Sequence, residues 1–108
     1  MSTSIFFTFD QSAEGARMRD FATWANGNGL HFEMASDTWR RDQVEADYRT
    51  KRNITFSTCY MGEQMTGLIN LALSFWQRFG GSMQAAPEVM IRIRQAFVAM
   101  NPSRPEEA

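Results

Sequence analysis

His31, Glu33 and Cys59 come nearest to a reactive set in this chain, because an imidazole, a carboxylate and a thiol can bind a metal, move protons or attack an electrophile. Their spacing argues against all three. His31-x-Glu33 has no second ligand pair nearby of the His-Glu-x-x-His or Cys-x-x-Cys kind. A nucleophilic Cys59 needs a neighbouring base and an electropositive setting. A strand position could bring His31 close to it, but the residue types around Cys59 read as a half-buried, inert thiol. Gly27/Gly29 and Gly80/Gly81 follow helical patterns instead of preceding them, the wrong side for cradling phosphate, so they are read as helix caps. The sequence therefore predicts no catalytic residues, no metal and no cofactor.

Recognition has a better candidate. Trp39-Arg40-Arg41 joins the two residue types that dominate interface hot spots. The stretch that follows carries Arg49, Lys51 and Arg52 against Asp42, Glu45 and Asp47, with Val44 and Tyr48 between them. Mixed charge around aromatic anchors is the composition of a protein-recognition loop. The predicted binding residues are Trp39, Arg40, Arg41, Asp42, Glu45, Asp47 and Tyr48, with Trp39 and Arg40 as anchors. The three acidic residues would suit a basic partner.

The positioning elements follow from periodicity. Ile5-Phe6-Phe7-Thr8-Phe9 reads as a strand ending at the cap signal Asp10-Gln11-Ser12. From Ala13 to about Asn26, Met18, Phe21, Ala22 and Ala25 form one helical stripe, with Trp24 about 120° away from it. Leu30 to Met34 alternates as a second strand. Residues 36–52 are ambiguous between a charged helix and strand extensions around a long hairpin, and the alternation of Val44, Ala46 and Tyr48 favours the hairpin. Ile54 to Tyr60 is a third strand. Met65 to Phe79 is an amphipathic helix stopped by Gly80-Gly81. Ser82 to Ala85 is a short edge strand, and Pro87 opens a last helix with Val89, Ile93, Ala96, Phe97 and Met100 in its stripe. Of the eight methionines only Met90, with Ile91 beside it, falls clearly outside the helical stripes.

Parity along the strands puts Phe7, Phe9, Phe32, Met34, Ile54 and Phe56 towards the helices. It leaves Phe6, Thr8, His31, Glu33, Thr55, Ser57 and Cys59 on the opposite, open face. The order βαββαβα repeats a strand, helix, glycine, strand unit and resembles the ferredoxin-like split βαβ sandwich. The resemblance implies an α+β domain with a four-stranded antiparallel sheet, the first and third strands central, and an additional C-terminal helix. It spans residues 5–85 at the level of topology and carries no functional motif. The last helix then either covers the open face or pairs with a second copy in a homodimer. An open face with Phe6 as its only aromatic, and with Glu33 to repel phosphate, disfavours RNA. No cysteine stands in residues 10–14, against a copper-chaperone site.

The 108 residues suit one domain, expected over 1–102 with a mobile 103–108 tail. Eleven basic against twelve acidic residues give a net charge of −1, and 44% apolar with 21% charged residues is globular composition. Disorder and a strongly basic nucleic-acid binder are disfavoured. No run approaches the roughly 20 apolar residues of a membrane span, and Met1-Ser2-Thr3-Ser4 lacks a basic secretion start, so a cytoplasmic location is expected. The function expected is a small non-enzymatic protein-binding module that masks or inhibits a partner, as immunity proteins and phage inhibitors do. The competing expectation is a small-ligand binder or cofactor-free enzyme in a dimeric α+β sandwich, which would have to use His31, Trp24 and Trp76.

Overall fold

The computed structural model describes residues 3–8, 14–48, 53–59 and 63–100, without the side chains of residues 14–18 and 63. Its elements are β1 (Thr3–Thr8), α1 (Glu14–Gly27), β2 (His31–Glu33), β3 (Thr38–Arg41), β4 (Val44–Asp47), β5 (Asn53–Thr58), α2 (Glu63–Phe79), β6 (Ser82–Gln84) and α3 (Pro87–Met100). The architecture is α+β, with one antiparallel sheet in the order β2-β3-β4-β5-β1-β6. Six strands replace the four expected. The two additional ones, β3 and β4, form the hairpin within residues 36–52 and separate β2 from β5. Four antiparallel steps lie between β1 and β2, so those strands run parallel, and α1 carries the crossover between them. Two such steps relate β5 to β6, with α2 as their crossover.

Short strands with unusual turns explain why this hairpin is faint in the sequence. Arg41 pairs with Val44 across Asp42-Gln43, and Asp42 takes a left-handed φ of 53° where Gly or Asn is the usual signal. The β2–β3 connection is four residues long, closed by Asp37 N–H donating to the Glu33 carbonyl at 2.8 Å, with Asp37 at φ 58°. Aspartate tolerates this region better than most residues, so both turns form without glycine.

Register aligns Phe32, Trp39, Ala46, Phe56 and Ile5 across five strands on the helix side. Burial along that row changes with position: Ile5, Phe56 and Ala46 are buried, Trp39 is half-buried and Phe32 is 47% exposed. The parity of Phe32 is as expected, but the widened sheet carries it beyond the helices. Met34, in the following turn, is 84% exposed instead of core. Phe9 and Tyr60 lie outside the described residues, as do Arg49, Lys51, Arg52 and the 103–108 tail.

The core centres on Phe75 of α2, whose ring meets Phe7 at 4.8 Å, Phe56 at 5.2 Å and Trp24 at 5.4 Å in edge-to-face contacts. Trp24 belongs to this core, contrary to its position off the predicted stripe. The buried face of α1 is set by Phe21, Trp24 and Ala25, and the indole N–H of Trp24 finds Ser74 Oγ at 3.1 Å. α2 is buried over a wide arc, including Leu68, Ile69, Leu71, Ala72 and Leu73, because it packs against the sheet, α1 and α3. The last helix therefore does not cover the open face. Val89 and Ile93 join the core and Phe97 stacks edge-on against Trp76 at 5.8 Å.

α1 ends where Gly29 turns the chain at φ +79°, which lets Leu30 N–H reach the Ala25 carbonyl at 2.9 Å. A Cβ at Gly29 would stand 3.2 Å from Arg41 Cδ, and Arg41 Nη1 donates to the Asn28 carbonyl at 2.8 Å. Gly29→Ala should thus cost about 1–2 kcal/mol from the left-handed backbone alone. Matched denaturant curves check it, and an unchanged midpoint would contradict the tight turn.

Candidate functional site

Alternation splits the predicted binding residues between two sheet faces. Trp39 and Arg41 point to the helix side: Trp39 packs on Phe21 and Phe32 at 5.7 and 5.5 Å, and Arg41 is held by the Asn28 carbonyl. Tyr48, just after β4, stacks against Phe21 at 4.9 Å. Arg40 and Glu45 point to the open face, Asp47 shares their parity, and Asp42 occupies the hairpin turn. The two intended anchors, Trp39 and Arg40, are therefore on opposite sides of β3. They cannot act as one hot spot.

What the hairpin does assemble is a charged cluster on the open face. Arg40 Nη2 donates to Glu45 Oε2 at 2.9 Å, and its Nε stands 3.2 Å from Glu33 Oε1, close enough for an ion pair but misaligned for a hydrogen bond. Beneath them Thr38 is buried. Ser36 Oγ lies 3.2 Å from Glu33 Oε1 and 2.7 Å from Thr38 Oγ1, which in turn lies 3.3 Å from Glu45 Oε2. Two hydroxyl protons serve three short contacts, so two of them can be hydrogen bonds at a time. The cluster fixes Arg40 between two carboxylates on the open face of the sheet edge, whose helix side and adjoining turn expose Phe32 and Met34.

The reactive set suspected from the sequence is not brought together. β3 and β4 stand between β2 and β5, so three strand spacings, about 14 Å, separate His31 from the end of β5, where Cys59 follows. Cys59 is exposed, not half-buried. His31 lies opposite Arg40 instead. Among the described residues no group of three or more His, Cys, Asp or Glu is placed to hold a metal, and no helix is long and apolar enough to cross a membrane.

Of the three residues the ligand-binding expectation needed, Trp24 is core, His31 is at the far sheet edge, and Trp76 lines a cavity elsewhere. That cavity is a groove of about 400 Å³ between α2, β6 and α3, walled by Leu73, Trp76, Met83, Met90, Phe97 and Val98, with Arg94 on its lining. No known protein family, no curated protein and no solved structure matches this chain.

Proposed function

We propose that this protein is a small non-enzymatic protein-binding module that masks a partner's surface, and that it does so with the edge formed by β2, β3 and β4. The observation carrying this reading is that one sheet edge exposes Phe32 on its helix side and Met34 in the adjoining turn while its open face carries a fixed charged cluster, so a partner that clasps the edge meets both. Apolar contacts beside preorganised charges supply affinity without the cost of ordering long side chains on binding. The hairpin's open face carries Glu33, Glu45 and Asp47 against Arg40, so the partner is basic around an apolar centre. We read the frame as a ferredoxin-like split βαβ sandwich with the β3–β4 hairpin inserted between its second and third strands. A cytoplasmic, immunity-type or phage-inhibitor role fits the same reading.

Tagged protein and a Phe32→Ser/Met34→Ser form should be compared as baits in the native host, with quantitative mass spectrometry of what they retain. Met34 is 84% and Phe32 47% exposed, so the variant should lose about 1 kcal/mol with the Phe32–Trp39 contact and remain folded. A basic partner held by the wild type should fall at least thirtyfold with the variant, the loss of about 2 kcal/mol or more that marks a hot spot, and should weaken as salt is raised. Equal retention by both baits would refute the surface assignment.

A further inference from the structure

The groove between α2, β6 and α3 lies at the sheet edge opposite β2, so it is independent of the partner surface. Five strand spacings, about 24 Å, separate the two edges. Its volume of about 400 Å³ falls within the roughly 300–1,000 Å³ range of small-molecule sites. Trp76 and Phe97 meet edge-on at 5.8 Å and form an aromatic wall, while Met83 and Met90 supply polarizable walls that adapt to an irregular ligand. On its lining, Trp76 is 37% and Val98 59% exposed.

Arg94 is the charged side chain on this apolar lining. One helical turn away in either direction stand Met90, Ile91, Phe97 and Val98, so no carboxylate is within i±3 or i±4 reach. Arg94 is exposed and, like Arg19 and Arg92, has neither a hydrogen bond nor an ion pair among the described residues, and of these three it is the one on the groove lining. A guanidinium without a partner among the described residues, on the lining of an apolar groove, offers a planar fork of donors suited to a carboxylate.

We propose that this groove is a binding site for a small amphipathic carboxylate, with its apolar body against Trp76, Phe97, Met83 and Met90 and its carboxylate on Arg94. The lining offers a neutral apolar molecule the same walls but leaves Arg94 unused. A cationic amphiphile meets repulsion at the lip.

The test uses three probes of one chain length on the full chain: decanoate, decan-1-ol and decyltrimethylammonium, each below its aggregation threshold. Amide and indole shifts are followed by two-dimensional NMR. Saturable one-to-one binding of decanoate is expected, with the largest shifts at the Trp76 indole and the α3 amides. Decyltrimethylammonium should bind at least tenfold more weakly. Arg94→Gln should weaken decanoate about tenfold and leave decan-1-ol unchanged. Ile91→Glu, an exposed position one turn before Arg94 and off the groove lining, should have the same selective effect by supplying a carboxylate to Arg94, and it keeps the test alive if Arg94→Gln alters the fold.

Three results would overturn the proposal. One is equal affinity for decanoate and decyltrimethylammonium. Another is an unchanged decanoate-to-decanol ratio in both variants. The third is α3 shifts that depend on protein concentration with no probe present, which would show a second copy filling the groove.

Discussion

Phe75→Ala should remove about 3–5 kcal/mol of folding stability, a large share of the roughly 5–15 kcal/mol typical of a whole domain. The size of the effect follows from where the ring sits. Phe75 is fully buried and touches a ring from each layer: Phe7 and Phe56 on the sheet, Trp24 on α1 and its own helix neighbour Phe79 at 4.8 Å. Truncation leaves a void bordered by these rings and that of Phe21, all anchored elsewhere, and bulky anchored rings collapse poorly into a cavity. Urea denaturation should show a lowered midpoint with little change in slope. A loss below about 1 kcal/mol would mean that α2 is not seated as described.

Trp39→Ala should destabilise the fold by about 2–3 kcal/mol, somewhat less than a fully buried aromatic, because the indole is only half-buried. Its edge-to-face contact with Phe21 connects the inserted hairpin to α1, and its contact with Phe32 supports the edge strand. The expected signature is preferential loosening of the β2–β3–β4 edge, read as faster amide exchange at residues 38–47 than at β5. Uniform loss across the sheet, or none, would contradict this placement. Any weakening of partner binding by this variant reflects a disturbed edge as much as a lost contact. Phe32 and Met34 are the cleaner probes.

Legibility in the sequence followed the length and regularity of each element. α2 and α3 were evident because apolar spacing persists over several turns and is stopped by Gly80-Gly81 in one case and opened by Pro87 in the other. β1 and β5 were evident from dense aromatic and β-branched composition. The six-stranded sheet was not, because β3 and β4 are four residues each and their turn uses Asp42-Gln43 in place of Asn-Gly. Trp24 was misplaced because the helical stripe was anchored on Ala22, whereas burial runs through Phe21, Trp24 and Ala25. Trp39 and Arg40 are adjacent along the chain but not in space, because a strand sends neighbours to opposite faces. The groove depends on α3 lying against α2, a long-range packing choice with no local signature.

The strand order also fixes a timetable for synthesis. β1 is flanked by β5 and β6, so its backbone has no partner until residues 53–58 and then 82–84 have been made. The β2-β3-β4 meander closes through short turns and can pair as soon as it emerges, offering the free edge of β4 as a template for β5. Translation thus produces the recognition edge before the strand that anchors the sheet's centre. In the interval the nascent chain carries the apolar run Ile5-Phe6-Phe7 without its sheet neighbours, the stage at which such a segment is most open to chaperones or to unwanted strand pairing.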